Sequence, residues 1–126
     1  MLKLAEPEDK ELFVKLCSQR VEEVFDEFMD SPREEKIILF NDDVGVFVGM
    51  AFNSSKGKIA TDVLWWVKPE ERGQNKGSEL LDAFEFWARK VGCDVVVMSS
   101  LHAEVGKEYF EEKGYALKDV AYVKEL

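Results

Sequence analysis

The segment Trp65-Trp66-Val67-Lys68-Pro69-Glu70-Glu71-Arg72-Gly73-Gln74-Asn75-Lys76-Gly77-Ser78-Glu79-Leu80-Leu81 decides the fold of this chain. An apolar strand from Lys58 to Val67 is stopped by Pro69 and feeds a polar, glycine-bearing loop from Glu70 to Gly77. The loop runs directly into a helix with Leu80, Leu81, Phe84, Trp87, Ala88 and Val91 on one face, stopped by Gly92. The first N–H groups of such a helix have no partner within it, so they point outward and can cradle an anion. Gly73 and Gly77 carry no side chain to block close approach, and Arg72 and Lys76 add positive charge. A pyrophosphate is the natural ligand for this nest; a well-capped surface turn with two convenient glycines is the competing reading. The loop lacks the Gly-Lys-Ser/Thr ending of a Walker loop and the full Gly-x-Gly-x-x-Gly dinucleotide pattern.

Upstream, Leu2 to Leu4 forms a short strand candidate. Pro7, Glu8 and Asp9 open a helix, and Phe13, Leu16, Cys17, Val21, Val24, Phe25 and Phe28 recur at helical spacing, predicting one helix from Glu8 to Met29. Ile37 to Phe40 reads as a strand, Asn41-Asp42-Asp43 as a turn, and Val44 to Phe52 as a strand packed on both faces. Downstream, Val95 to Met98 is a short central strand. Glu104 to Lys113 reads as a second short helix, and Tyr115 to Lys124 as one final strand. The order of elements predicts an α/β (α+β) fold: a central mixed sheet with helices on its faces.

The 126 residues, without a linker or repeat, predict a single domain spanning 1–126. A composition of 46% apolar and 34% charged residues is that of a folded globular protein and excludes global disorder. The net charge of −9 argues against general nucleic-acid binding and leans toward a cationic substrate or basic partner. The N-terminus shows no secretory leader and no apolar run reaches the ~18 residues of a membrane span. A cytoplasmic protein without membrane association is the expectation. Cys17 and Cys93 read as reduced core thiols, and one histidine with widely spaced cysteines gives no metal-ligand pattern.

The run Val67 to Gly77 resembles the signature of the GNAT superfamily of N-acyltransferases, an Arg/Gln-x-x-Gly-x-Gly/Ala loop that binds the pyrophosphate of acetyl-CoA. Arg72 matches its first position and Gly77 its last. Asn75 stands at the central glycine, and asparagine tolerates left-handed backbone better than other side chains. Tyr109-Phe110-Glu111-Glu112-Lys113-Gly114-Tyr115 is similar to the family's Tyr-x-x-x-Gly-Phe segment, with Phe110 at the tyrosine that often protonates the leaving thiolate. Tyr109 is adjacent and should point elsewhere on a helix. Ser100 and Ala103 fall where the family commonly has asparagines, and Gly106 where it has a small residue.

The resemblance implies a GNAT-like acyl-CoA N-acyltransferase fold. It also implies transfer of an acetyl group from acetyl-CoA, as cosubstrate and without a metal, to a primary amine by direct attack in a ternary complex. Arg72, Gly73, Gln74, Asn75, Lys76, Gly77 and Ser78 would hold the pyrophosphate. Trp65, Trp66 and Val67 would hold the pantetheine arm, with Ser100 and Phe110 also lining the cofactor. Asp62, the only acid in an apolar strand leading to the loop, is the first candidate base and His102 the second; Tyr109, Tyr115 and Tyr122 are candidate substitute acids. A solvent-facing Asp62 and an incidental loop His102 are the plain alternatives.

The acceptor would be an amine-bearing small molecule or a protein lysine, with Glu22, Glu23, Asp26 and Glu27 either attracting it or forming an ordinary solvated face. A homodimer is compatible with this fold. Two other readings stand beside the enzyme: a catalytically degenerate relative that binds CoA or a protein partner, motivated by Asn75, Ala103 and Phe110, and a non-catalytic protein-interaction domain.

Overall fold

The structure is a computed structural model that describes residues 1–16, 21–55, 57–99, 107–118 and 121–126. Its centre is a seven-stranded sheet in the order β1-β2-β3-β4-β5-β7-β6. The strands are β1 (Leu2–Leu4), β2 (Lys36–Asn41), β3 (Gly45–Ser54), β4 (Gly57–Val67), β5 (Val95–Ser99), β6 (Ala116–Lys118) and β7 (Ala121–Glu125). Only β4 and β5 pair in parallel, so the sheet is mixed. The helices are α1 (Lys10–Leu16), α2 (Val21–Asp30), α3 (Lys76–Lys90) and α4 (Lys107–Glu112).

Two apolar clusters cover the two faces of the sheet. On one, α1 and α2 bury Phe13, Leu16, Phe25 and Phe28 against Ile38, Phe40, Val46 and Val48. On the other, Leu80, Leu81, Phe84 and Ala88 of α3 and Phe110 of α4 pack on Ile37, Leu39, Phe47, Val96 and Met98. The alternating residues of β2 and β3 thus serve both clusters, as expected of strands covered on both sides. Gly49 sets the depth of α3: a Cβ there would lie 2.2 Å from the Phe84 ring, so only glycine lets the helix come this close.

Two expectations need correction. The helix expected from Glu8 to Met29 is a short 3-10 turn (Pro7–Asp9) followed by α1 and α2. In one continuous helix Phe13 and Phe25 would stand about 18 Å apart, at ~1.5 Å per residue. Their rings instead stack with centroids 5.2 Å apart, and Lys10 reaches Asp26 at 3.1 Å, so α1 and α2 pack side by side and not end to end. Apolar spacing identifies faces of helices but is blind to a division into two helices that keeps both faces on the same core. The final strand expected from Tyr115 to Lys124 is the antiparallel pair β6 and β7, in register Ala116↔Val123 to Lys118↔Ala121. Cys17 lies outside the described residues; Cys93 is a buried free thiol whose pKa burial raises, which leaves it inert as a nucleophile.

Candidate active site

The site begins with a fault in β4. Val48 pairs with Leu64 and Gly49 with Asp62, so Val63 is an extra residue, a β-bulge, and it is exposed. A bulge bends its strand and sharpens the local twist. The effect falls where β4 parts from β5: their parallel register runs only from Ile59↔Val95 to Thr61↔Val97. The Thr61 hydroxyl donates to the Val97 carbonyl at 2.9 Å and closes the last rung. Beyond it, β5 continues against β7 while β4 continues against β3, and among the described residues no further rung joins the two halves of the sheet.

Past this last rung, β4 delivers its chain to the N-terminus of α3. A 3-10 turn at Pro69–Glu71 reverses the chain, and the exposed Arg72 is anchored by Nε donating to the Val67 carbonyl at 2.8 Å. Gly73 follows with φ +87°, and a Cβ there would meet nothing within 4 Å, so the space above it is open. Asn75 adopts φ 66°, ψ 9°, the left-handed conformation a glycine would take. Its side chain does not cap the helix. The first bond from the helix back to the loop is Glu79 N–H to Asn75 O, 2.9 Å, so the amides of Lys76, Gly77 and Ser78 have no partner inside α3. A compact run of outward N–H groups at the positive end of a helix results.

Residues that looked like mere turn formers hold this helix end. Asn41, fully buried, donates Nδ2–H to the Lys76 carbonyl at 3.0 Å and to Glu79 Oε1 at 3.3 Å. Asp42 accepts from Lys76 Nζ at 3.1 Å and from the N-terminal amine. Those two donors, the amine first, hold the Asp42 carboxyl below its usual range, and Asp42 in turn raises Lys76. Lys76 is therefore paired back toward the β2–β3 turn. Sequence patterning could not single out Asn41 and Asp42, because Asn-Asp-Asp between strands is ordinary turn chemistry; only the α3 contact gives them a further task.

The two tryptophans face opposite clusters, as strand alternation requires. Trp66 packs on the α1–α2 side, with the Arg72 guanidinium 6.0 Å from its ring centre. Trp65 lies under α3: its Nε1–H donates to the Gly77 carbonyl at 3.1 Å, and its ring sits 6.2 Å from those of both Tyr109 and Phe110. Tyr109 was expected to point away from Phe110's surroundings; instead both rings meet the same indole, which is broad enough to span neighbouring positions of α4. Phe110 is fully buried, whereas the Tyr109 hydroxyl is buried and makes no hydrogen bond.

Asp62 pairs with Gly49, whose missing Cβ faces Phe84, so Asp62 springs from the α3–α4 face of the sheet, next to the bulge. Tyr115, another candidate acid, is fixed elsewhere: its hydroxyl donates to buried Glu85 at 2.9 Å and its pKa is driven far up, chiefly by burial. Ser100, His102, Ala103 and Gly106 lie outside the described residues. Tyr122 lies on β7 opposite Met98. The structure thus brings Trp65, Val67 and residues 72–78 together around one helix end, with Tyr109 and Phe110 adjoining through Trp65. Among the described residues no group of three or more His, Cys, Asp or Glu side chains is placed to hold a metal ion, and no helix is long and apolar enough to cross a membrane.

A mixed sheet that splays at a bulged strand, with a glycine-bearing loop and helix N-terminus at the splay, defines the acyl-CoA N-acyltransferase class of fold. The chain belongs to the acetyltransferase (GNAT) family, whose model matches residues 3–115. Similar solved structures include a chain of the NatC complex bound to Gag peptide and CoA (TM-score 0.81, 12% identity, 100% of this chain and 98% of that one covered). The acetyltransferase of GNAT family from Streptococcus pneumoniae is another (TM-score 0.76, 14% identity, 100% and 98% covered). Arabidopsis thaliana Naa50 in complex with the bisubstrate analogue CoA-Ac-MVNAL is a third (TM-score 0.72, 14% identity, 100% and 98% covered). Among curated protein sequences none matches significantly.

Proposed function

We propose that this protein transfers an acetyl group from acetyl-CoA to a primary amine, by direct attack within a ternary complex and without a metal. The observation that carries the reading is the left-handed Asn75 at the head of α3, which keeps the loop open for a pyrophosphate although the central glycine of the family's motif is absent. The residues fit that ligand: the amides of Lys76, Gly77 and Ser78 are directed outward, the position above Gly73 is open, and Arg72 stands at the rim.

Bound acetyl-CoA supplies an acyl thioester activated toward an amine. Among the described residues the β4–β5 ladder ends at Thr61↔Val97, and the stretch of β4 past it is where an amide-bearing arm would run, along Trp65 and Trp66. The Val67 carbonyl already accepts from Arg72, so it serves the loop more than the arm. The Asp62 carboxylate, beside the bulge, accepts the proton that the ammonium must lose before attack, with His102 as the alternative base. Tyr109 is the residue to protonate the leaving thiolate, because Phe110 has no hydroxyl to give. Glu23, Asp26 and Glu27 along α2, of which Asp26 holds Lys10 and Glu27 holds Lys36, make that face acidic, and the acceptor is a cationic amine, a small molecule or a protein lysine. We place the protein in the cytoplasm, as a monomer or homodimer.

A second reading has its own observation. Phe110 is sealed in the core and the Tyr109 hydroxyl is buried without a partner, so neither stands ready in the cleft. A protein that binds CoA without turning it over would look the same. Calorimetric titration with CoA, followed by thiol release from acetyl-CoA with a panel of polyamines, aminoglycosides and lysine peptides, separates the two. Binding with release supports the enzyme, binding without release supports the second reading, and absence of binding sinks both.

A further inference from the structure

Glu85 is an unusual residue for the inner face of α3. Its side chain is 5% exposed, yet it sits among Leu81, Phe84 and Ala88 of the same helix face. Both carboxylate oxygens are engaged: Oε2 accepts from the Tyr115 hydroxyl at 2.9 Å and Oε1 from Lys124 Nζ at 2.8 Å, with Arg89 Nη2 at 3.9 Å. The Lys124 ammonium also lies 5.4 Å from the Tyr115 ring centre. Burying a carboxylate and an ammonium is costly, and an apolar pair of similar volume would hold the helix as well or better. The polar set therefore calls for a reason beyond stability.

The topology supplies one. Among the described residues the β4–β5 ladder ends at Thr61 and Val97, before the α3 N-terminus, reached from β4, and α4, which lies beyond β5. The two helices are joined by the Asp82–Lys113 ion pair at 3.2 Å on the surface and, inside, by a closed circuit of side chains. Glu85 of α3 holds Tyr115, and Tyr115 meets Phe110 edge-on at 5.5 Å. Phe110 meets Trp65 edge-on at 6.2 Å, and Trp65 returns to α3 through its bond to the Gly77 carbonyl. Hydrogen bonds are directional where apolar contacts slide, so the Glu85–Tyr115 and Trp65–Gly77 bonds fix the circuit at both ends.

We propose that Glu85 is a positioning residue: through Tyr115 it sets the spacing between the helix that binds the pyrophosphate and the helix that carries Tyr109. The proposal rests on the acetyl-CoA reading of the α3 N-terminus. Its consequence is a split between binding and turnover. The phosphate nest lies about two helical turns from Glu85 and is held independently by Asn41 and Asp42. Releasing α4 therefore leaves CoA affinity intact while it misplaces the groups that act on the thioester.

The test uses Glu85→Ala, Glu85→Gln and Tyr115→Phe, each checked for a cooperative melt and assayed well below its melting temperature. CoA affinity is measured by calorimetry, kcat and KM by thiol release, and hydrogen exchange on the amides of residues 107–112. In Glu85→Ala and Tyr115→Phe, CoA affinity is expected to hold, kcat to fall by about tenfold to a hundredfold, and the α4 amides to exchange faster. Glu85→Gln, whose amide oxygen still accepts from Tyr115, recovers part of the loss. Unchanged kcat and α4 exchange would overturn the proposal, as would CoA affinity falling in step with melting temperature. Should wild type bind no CoA, the functional reading fails by itself, and the exchange rates of α4 relative to the first turns of α3 still decide whether Glu85 sets the spacing.

Discussion

The indole N–H of Trp65 donates to the backbone carbonyl of Gly77 across 3.1 Å, so the last strand before the loop props up the first turn of the helix after it. A Cβ on Gly77 would lie 3.5 Å from Trp65 Nε1 and from Val67 Cγ2, an ordinary contact. Gly77→Ala should therefore fold with unchanged or higher melting temperature, since alanine is favoured over glycine in helices by up to ~1 kcal/mol. Gly77→Glu starts its longer side chain toward Trp65 and Val67, so it should disturb the contact that shapes this helix end and weaken CoA binding by about tenfold or more. Unaltered calorimetric affinity in Gly77→Glu would remove the pyrophosphate from this loop.

Asn75 offers a test of loop shape. Glycine accepts φ 66° freely, so Asn75→Gly should keep both stability and CoA affinity. A β-branched residue resists this conformation, and Asn75→Val should cost about 1–2 kcal/mol or flip the loop. Chemical denaturation and CoA titration of the pair measure the two effects. Equal affinity in the valine variant would show that the left-handed residue is not needed for binding.

Tyr109 and Phe110 can be exchanged for each other one at a time. Tyr109→Phe removes a buried hydroxyl that has no partner and should leave stability unchanged or raise it by about 1 kcal/mol. If Tyr109 serves as the acid, the same variant loses turnover while CoA binding persists. Phe110→Tyr adds a hydroxyl to a fully buried, ring-packed position and should cost about 1–3 kcal/mol. A gain of turnover in Phe110→Tyr without loss of stability would contradict the packing described for α4.

Alkaline stability should report the Tyr115–Glu85 bond. Burial, then the neighbouring Glu85 charge, raises the Tyr115 pKa far above the ordinary phenol. The native state thus holds a proton that the unfolded chain releases near pH ~10. The stabilisation is complete below that pH and is lost as pH rises above it, with a slope of at most about 1.4 kcal/mol per unit. Urea melts of wild type and Tyr115→Phe between neutral pH and pH ~11 should diverge below pH ~10 and converge above it. Parallel curves would place the tyrosine hydroxyl outside the core.

Much of the fold was legible in the sequence, because its signals are local. Period-2 alternation marked β3, an apolar run closed by Pro69 marked β4, Gly92 marked the end of α3, and the run Leu80, Leu81, Phe84, Ala88 marked its buried face. The left-handed turn before α3 was legible for the same reason: helix starts, glycines and an asparagine able to turn left-handed are properties of a few adjacent residues. The division of the first helical stretch into α1 and α2, and of the last strand into the antiparallel β6 and β7, was not legible, since each preserves the hydrophobic pattern on both sides of it.

The sequence by itself determined most of the strands and helices, that a mixed α/β sheet results, and which loop brings glycines to the start of a helix. Tertiary structure alone decided how those pieces meet. It placed Val63 as the bulge where β4 leaves β5, turned Trp65 under α3, set both Tyr109 and Phe110 against one indole, and gave Glu85 its partners Tyr115 and Lys124. Apart from the bulge, which lies between β3 and β4, and Trp65 with its own loop helix, these are contacts between residues 30 or more positions apart. Their energies depend on distance and direction in the folded chain, which no local pattern of residue types encodes.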